Sequence, residues 1–207
     1  MSTFLYPFLD DDAITDTASL LGDLARSAEA KWHESGELGA STVTANREVL
    51  HDAVVVLRSA PQILLAGNGG SACDAERTAR LLRIAGYRVR SLVADPVTIT
   101  ALANDVGVEN IFARQIEAYG RAGDSLIVFS TSGASANLLA ACATAQRLRI
   151  RTVALAGYGG GPMGHDRSVE FCLRVESASV HRIQEAQAVL IDHLVAALAP
   201  APMNDTS

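Results

Sequence analysis

Two segments of this chain follow the same plan, in which a short apolar run ends in a turn of small residues and a helical pattern begins. In residues 63–75 the run Ile-Leu-Leu-Ala leads into Gly-Asn-Gly-Gly-Ser, and in residues 126–137 Leu-Ile-Val-Phe leads into Ser-Thr-Ser-Gly. Hydroxyls and free backbone N–H groups at a helix N-terminus bind anions, most often phosphate. The chain is therefore predicted to bind phosphorylated small molecules.

The alternation of short strands with helices predicts an α/β fold built on a parallel sheet. We expect a helical pair at 14–35 and 42–59 within residues 1–60, a main domain over 61–198 and a flexible tail over 199–207. Ligands of such sheets bind beyond the carboxyl ends of the strands. The predicted strands are 63–66, 88–93, 125–129, 152–155 and 169–175, and the predicted helices are 73–85, 96–104, 111–120, 136–149 and 181–198.

Composition limits the function classes that this chain can serve. Its 207 residues are 49% hydrophobic, enough for a full core, yet no apolar run is long enough to cross a bilayer. No N-terminal signal is visible, so we expect a cytoplasmic protein without a membrane partner. The net charge of −6 argues against direct nucleic-acid binding but leaves a protein partner open. Three cysteines without close spacing indicate reduced thiols: Cys73, Cys142 and Cys172.

The second turn carries an unusual number of hydroxyls. Ser130, Thr131 and Ser132 end the strand, Ser135 begins the next helix, and Gly133 permits a backbone conformation that side chains disfavour. Helix capping alone is the competing interpretation, but a cap needs a single hydroxyl. Four hydroxyls therefore favour a phosphate ligand.

The first turn, residues 67–71, lacks the Gly-x-Gly-x-x-Gly spacing of dinucleotide-binding folds. No acidic residue follows the second strand until Asp95, so a nucleotide-binding Rossmann protein is disfavoured. A third glycine-rich stretch, residues 157–164, follows the fourth predicted strand. We interpret it as an ordinary crossover rather than as part of the rim of the site.

Five motifs together resemble the SIS (sugar isomerase) domain of the phosphoheptose isomerase group. The resemblance extends from the N-terminal helix pair to about Val195, and Arg-Ile-Gln-Glu in the last helix distinguishes this group from other SIS proteins. The motifs are Gly-Asn-Gly-Gly-Ser at 67–71, Ala-Asn-Asp at 103–105, Gly-Asp at 123–124, Ser-Thr-Ser-Gly at 130–133 and Arg-Ile-Gln-Glu at 182–185.

The resemblance implies a flavodoxin-like, three-layer fold with a five-stranded parallel sheet, helices on both faces and an N-terminal helix pair. It also implies a homotetramer with sites near subunit boundaries, and interconversion of sedoheptulose 7-phosphate with a heptose 7-phosphate. The phosphate-binding residues that it implies are Ser71, Ser130, Thr131, Ser132 and Ser135. Those that would line the sugar are Asn68, Gly69, Gly70, Asp95 and Gln184.

The chain departs from this family at the positions that perform the chemistry. Members carry a histidine and a glutamate on the helix after the glycine turn and a histidine on the last helix. Those positions are Arg77, Leu81 and Asp192 here, and only Gln184 remains of the zinc-binding set. Neither an arginine nor a leucine can ligate zinc, and a leucine cannot carry a proton. We therefore expect no zinc and no other cofactor.

Helical spacing suggests what replaces the altered metal site. Gln184, Ala188 and Asp192 share one helix face, and a lone carboxylate in so apolar a stretch needs a partner. We hypothesise that Arg77 and Asp192 form an ion pair where relatives hold the metal. If catalysis survives, Asp192 and His181 are the candidate catalytic residues.

Two functions stay open at this point. The first is a phosphosugar isomerase with altered chemistry. The second is a non-catalytic phosphosugar sensor or protein-binding scaffold similar to the DnaA initiator-associating protein, a relative that departs from the isomerases at the same glutamate and last-helix histidine positions. The complete Ser-Thr-Ser-Gly turn favours retained ligand binding in either case.

Overall fold

A computed structural model of the protein describes residues 40–199, with side chains described from Arg47 onward. The predicted helix 14–35 and nearly all of the predicted tail lie outside the described residues. Helices and strands alternate along the described chain, as the sequence predicts. They are α1 Ala40–Ser59, β1 Ile63–Gly67, α2 Gly70–Ile84, β2 Val89–Ser91, α3 Pro96–Val106, α4 Ile111–Tyr119, β3 Ser125–Ser130, α5 Ala136–Arg147, β4 Arg151–Ala156, β5 Phe171–Arg174 and α6 Val180–Leu198.

The five strands form one parallel sheet in the order β2-β1-β3-β4-β5. This is the flavodoxin-like order, and the predicted fold class is confirmed. The strand order reverses direction between β1 and β3, which leaves a crevice beyond their carboxyl ends. The register pairs Gly67 with Phe129, so the turns that follow these two strands leave the sheet side by side.

Burial explains why the strands read as continuous apolar runs. Every residue of β1 and β3 is buried, because helices cover both faces of the sheet. One face packs against α4 and α5 through Phe112, Ile116, Leu138 and Cys142. Burial raises the pKa of the Cys142 thiol to about 12, which agrees with its predicted place in a helix core.

The helix after the glycine turn begins earlier than predicted. It starts at Gly70 rather than at residue 73, because Gly69 adopts a φ of +56° and turns the chain directly into the helix. The turn is tight, since a Cβ on Gly67 would lie 2.2 Å from the carbonyl oxygen of Ser71. Across residues 40–199, no helix combines the length and hydropathy that a membrane span requires.

Candidate functional site

The turns after β1 and β3 are joined by a pair of side-chain amides. The Nδ2 of Asn68 donates to Oδ1 of Asn137 at 2.8 Å, and the Nδ2 of Asn137 donates to Oδ1 of Asn68 at 2.9 Å. Asn68 belongs to the glycine turn, whereas Asn137 lies in the first turn of α5. The two turns therefore lie side by side at the carboxyl edge of the sheet.

Five hydroxyl-bearing residues lie in and around these turns, and we call them the hydroxyl cluster. They range from buried to exposed, so the cluster extends from the sheet edge to solvent. Its members are Ser71 and Ser130, which are buried, Thr131 and Ser135, which are half-buried, and Ser132, which is exposed.

Two hydroxyls of the cluster brace the backbone of their own turn. The backbone N–H of Gly133 donates to Oγ of Ser130 at 3.0 Å, and that of Ala134 donates to Oγ of Ser132 at 3.2 Å. A hydroxyl that accepts a hydrogen bond still has its own O–H to donate. Ser130 and Ser132 can therefore hold the turn and donate to an anion at the same time.

The helices that begin at these turns lack side-chain caps. Gly69 before α2 has no side chain, and the Ser135 side chain before α5 makes no capping hydrogen bond. By contrast, Asp95 caps α3 by accepting from the backbone N–H groups of Val97 and Thr98. Ser135 thus does not serve as the side-chain cap that the competing interpretation requires. The positive ends of the α2 and α5 dipoles are available to an anion near the cluster.

Asp95 and Gln184, two of the implied sugar-binding residues, have different surroundings. The Asp95 carboxylate also accepts from the Thr98 hydroxyl at 2.6 Å, and these bonds lower the pKa of Asp95. Gln184 of α6 lies against the glycine turn, because a Cβ on Gly70 would stand 2.0 Å from its Nε2. The fold therefore places Gln184 beside the first turn of α2. Asp95 instead caps α3.

Farther along the contact between α2 and α6, Arg77 binds Asp192. The Nη2 of Arg77 lies 2.5 Å from Oδ1 of Asp192, and its Nη1 donates to the carbonyl of Ala188 at 3.3 Å. The predicted ion pair is confirmed. The apolar surroundings expected for Asp192 are not observed. Its side chain is 54% exposed, while its apolar neighbours Ile191 and Leu194 are buried.

The residues at the altered metal site do not fit a zinc ion. Arg77 presents a cation, Leu81 is a buried hydrocarbon, and the Asp192 carboxylate is engaged by Arg77. No group of three or more His, Cys, Asp and Glu side chains within the described residues is arranged to hold a metal. His181, the other candidate catalytic residue, is exposed in the first turn of α6.

Sequence reasoning missed Gln187, which binds the backbone at the carboxyl ends of two strands beside the site. Its side chain is fully buried, and its Nε2 donates to the carbonyls of Leu155 at 2.9 Å and Ser130 at 3.3 Å. The amide therefore joins the carboxyl ends of β3 and β4 to α6. A signal was present, because Gln187 interrupts an apolar helix face that includes Ile183 and Leu190.

The glycine-rich loop, residues 157–164, is more than the ordinary crossover that the sequence suggested. It does connect β4 towards β5, but it also packs against the hydroxyl-bearing turn. The N–H of Gly157 donates to the Ser130 carbonyl at 3.1 Å, and the N–H of Met163 donates to the Gly133 carbonyl at 2.8 Å. The stretch is a crossover, as predicted, and its glycines also let its backbone approach that of the turn.

Comparison with known proteins supports this fold. A sequence model of the SIS domain matches residues 32–157, well over half of the chain. The chain belongs to the SIS domain family. A phosphoheptose isomerase of Akkermansia muciniphila is 40% identical to this SIS protein over 149 residues, which are 69% of this chain and 77% of the relative.

Solved structures of phosphoheptose isomerases share this fold. A phosphoheptose isomerase from Francisella tularensis superposes with a TM-score of 0.72 at 26% identity, covering 96% of this chain and 98% of the other. The enzyme from Neisseria gonorrhoeae gives 0.71 at 27% identity, with 90% and 97% covered. The resemblance to phosphoheptose isomerases is therefore confirmed in both sequence and structure.

Proposed function

We propose that this SIS protein binds a phosphorylated sugar at the hydroxyl cluster, and that it does so without the zinc and acid–base residues of phosphoheptose isomerases. The reciprocal amide bonds of Asn68 and Asn137 carry the proposal, because they hold both hydroxyl-bearing turns beside one crevice. Two uncapped helix N-termini meet there as well. Such an arrangement suits a phosphate dianion.

The ligand that we propose is a heptose 7-phosphate such as sedoheptulose 7-phosphate. Its support is the name shared by the relatives in sequence and in structure, phosphoheptose isomerase. In this proposal the phosphate binds the hydroxyl cluster. The sugar meets a set that includes Gln184, which lies against the glycine turn. The full proposed set is Asn68, Gly69, Gly70, Asp95 and Gln184.

Isomerisation is the first candidate activity. Moving a proton between adjacent carbons needs a base near carbon and a proton donor near oxygen. Asp192 and His181, both exposed on α6, are alternative candidates for one of these roles. Eleven residues of the helix separate them by about 16 Å, so they would not act on the same bond. The Arg77 guanidinium engages the Asp192 carboxylate, which it would have to release before Asp192 could accept a proton.

A non-catalytic phosphosugar sensor or scaffold is the second candidate. It is favoured by the buried Leu81, which can neither accept nor donate a proton at the position where the resemblance implies a catalytic glutamate. It is also favoured by Arg77, which already engages the carboxylate of Asp192. In that case a protein partner would bind the ligand-bound form of this protein selectively.

Incubation with sedoheptulose 7-phosphate, with and without zinc, separates these candidates. We expect the ligand to raise the temperature of unfolding, because binding to the folded state alone stabilises it. Formation of the aldose would establish the isomerase, whereas stabilisation without turnover would support the sensor. If the ligand neither stabilises the protein nor turns over, phosphosugar binding itself is wrong.

Ser132→Ala tests the assigned phosphate contact. We expect it to weaken sedoheptulose 7-phosphate binding by about 1.5–3 kcal/mol, because a hydrogen bond to a charged group is lost. Ser59→Ala is the matched control, since the Ser59 hydroxyl donates to the Val56 carbonyl at the end of α1. Calorimetric titration of both variants gives the comparison, and equal affinities would remove Ser132 from the site.

A further inference from the structure

The glycine-rich loop and the hydroxyl-bearing turn interlock through their backbones. Gly133 has a φ of +62°, and a Cβ placed on it would stand 2.1 Å from the Gly160 carbonyl oxygen. Gly161 has a φ of +52°, and its Cβ would stand 2.3 Å from the Ser132 carbonyl oxygen. No side chain fits at either position, so each segment limits where the other can lie.

Hydrogen bonds fasten the same contact at both ends of the turn. The loop donates from Gly157 to the Ser130 carbonyl and from Met163 to the Gly133 carbonyl. Met163 itself is fully buried in the hydrophobic core that includes Leu138 of α5. The loop is therefore anchored in the core while it holds the turn that carries Ser130, Thr131 and Ser132.

The other side of the loop is tied to α6. A Cβ on Gly157 would lie 2.3 Å from the Thr131 carbonyl oxygen and 2.5 Å from Cδ1 of Ile183. The Tyr158 hydroxyl donates to the Ala178 carbonyl at 3.0 Å, just before α6 begins. Ile183 directly precedes Gln184. The loop thus links the hydroxyl-bearing turn to the helix that places Gln184.

We propose that the glycine-rich loop is a positioning element for the ligand phosphate, which acts by fixing the hydroxyls of Ser130, Thr131 and Ser132 relative to α6. This inference rests on the proposed function, since it assigns the loop a role in that same site. A phosphate bound through several short hydrogen bonds requires donors held in place before it arrives. A variant that loosens the loop should therefore show a larger effect on its affinity for phosphate than on its thermal stability.

Gly161→Ala and Gly86→Ala form a matched pair of variants. Both glycines have positive φ, so alanine strains the backbone at either position. Only Gly161 approaches the turn, whereas a Cβ on Gly86 meets no atom within 4 Å. We would titrate each variant calorimetrically with sedoheptulose 7-phosphate and with inorganic phosphate, and measure its thermal unfolding. Titrations would be run well below both unfolding temperatures.

The expected result is a loss of about tenfold or more in affinity for both ligands in Gly161→Ala, and a change within about twofold in Gly86→Ala. Loss of affinity for the phosphosugar alone would overturn the inference, because the loop would then contact the sugar rather than position the phosphate. Wild-type affinity in folded Gly161→Ala would overturn it too. Wild-type protein that binds neither ligand would instead overturn the proposed function.

Tyr158→Phe keeps the inference testable if Gly161→Ala does not fold. It removes the bond to the Ala178 carbonyl from a side chain that is 48% exposed, so the core is left intact. We expect unchanged thermal unfolding and a severalfold loss of affinity for both ligands. Unchanged affinity in this variant would show that the tie between loop and α6 has no part in phosphate binding.

Discussion

Asn137 shows how much of the site depends on single side chains with distant partners. It is 7% exposed, and it binds Asn68, which lies 69 positions away in the sequence. Each amide uses one N–H and one oxygen lone pair on the other, which leaves a second N–H and a second lone pair on each. An amide pair in this position sets the separation of the two turns.

Asn137→Ala should lower the free energy of unfolding by about 0.5–1.5 kcal/mol, because it removes the hydrogen bonds to Asn68, whose exposed amide water can then solvate. It should also weaken phosphosugar binding, which thermal shift with added sedoheptulose 7-phosphate measures. Gln146→Ala is the control, since it removes an exposed amide bond to the Arg167 carbonyl. Equal ligand shifts in both variants would contradict a role for the amide pair in the site.

Asp74 and Asp95 carry pKa shifts of opposite sign. Burial raises the pKa of Asp74, an effect that the Arg77 charge partly offsets, and one carboxylate oxygen has no hydrogen-bond partner among the described residues. The pKa of Asp95 is lowered by the Thr98 hydroxyl and by backbone N–H groups. Folded Asp74 therefore holds its proton to higher pH than the unfolded chain does, and folded Asp95 releases its proton at lower pH.

Stability contributed by Asp74 is present below its unfolded pKa and is lost as pH rises through its raised folded pKa. The variant Asp74→Asn should remove that loss. As the pH rises above about 4, its free energy of unfolding should therefore fall less than that of the wild type. Urea unfolding across this range measures the difference. Asp95→Asn should act in the opposite direction, removing stability that is lost on acidification. A wild-type pH slope in Asp74→Asn would contradict the burial of its carboxylate.

At the scale of elements, α2 and α6 contact each other through a close approach at a glycine and through an ion pair. Gly70 lets Gln184 come near one end, and Arg77 binds Asp192 and the Ala188 carbonyl farther along. Because the ion pair is 37% and 54% exposed, it is screened by solvent and contributes little by itself. Leu82 of α2 and Leu194 of α6 are fully buried, so apolar burial stabilises each helix more than this ion pair does.

A double-mutant cycle of Arg77→Met and Asp192→Asn should give a coupling energy of about 0–1 kcal/mol. The coupling should shrink as salt concentration rises, because exposed charges are screened. Arg182 and Glu185 form a more exposed control pair within α6. A coupling well above that of the control, and insensitive to salt, would mean that the Arg77–Asp192 pair is buried in the working protein.

At the scale of the whole molecule, α3 is an apolar helix with an unusual exposure. None of its residues is buried in the described part of the protomer, and Val97 is 75% exposed. Exposed apolar surfaces of this kind mark contacts with other proteins. The homotetramer that the resemblance implies is the assembly that we expect to cover α3.

Val97→Glu should therefore shift the protein from a tetramer towards smaller species, because a charge would be buried without a partner. Light scattering coupled to gel filtration measures the molar mass. Ala122→Glu, exposed in the turn before β3, introduces the same charge away from α3 and should leave the mass unchanged. A tetrameric Val97→Glu variant would place the interface elsewhere.

The sequence by itself determined which segments become strands and helices, because hydrophobic periodicity and glycine turns act over a few residues. All five strands and the helices after them were predicted, although strands β2 and β5 are shorter than expected. The hydroxyls of Ser130, Thr131 and Ser132 were likewise visible as a cluster. The Arg77–Asp192 pair was found because helical spacing could be combined with a family resemblance.

Only the tertiary structure decided which distant groups meet. The Asn68–Asn137 pair, the two carbonyls bound by Gln187 and the contact of Gly161 with Ser132 all join segments that are far apart in the chain. Local patterns carry no information about such contacts, because strand order and the packing of α6 on the sheet set them. The hydroxyls that we propose to bind phosphate are thus visible in the sequence, but the contacts that hold their turns in place are a property of the fold.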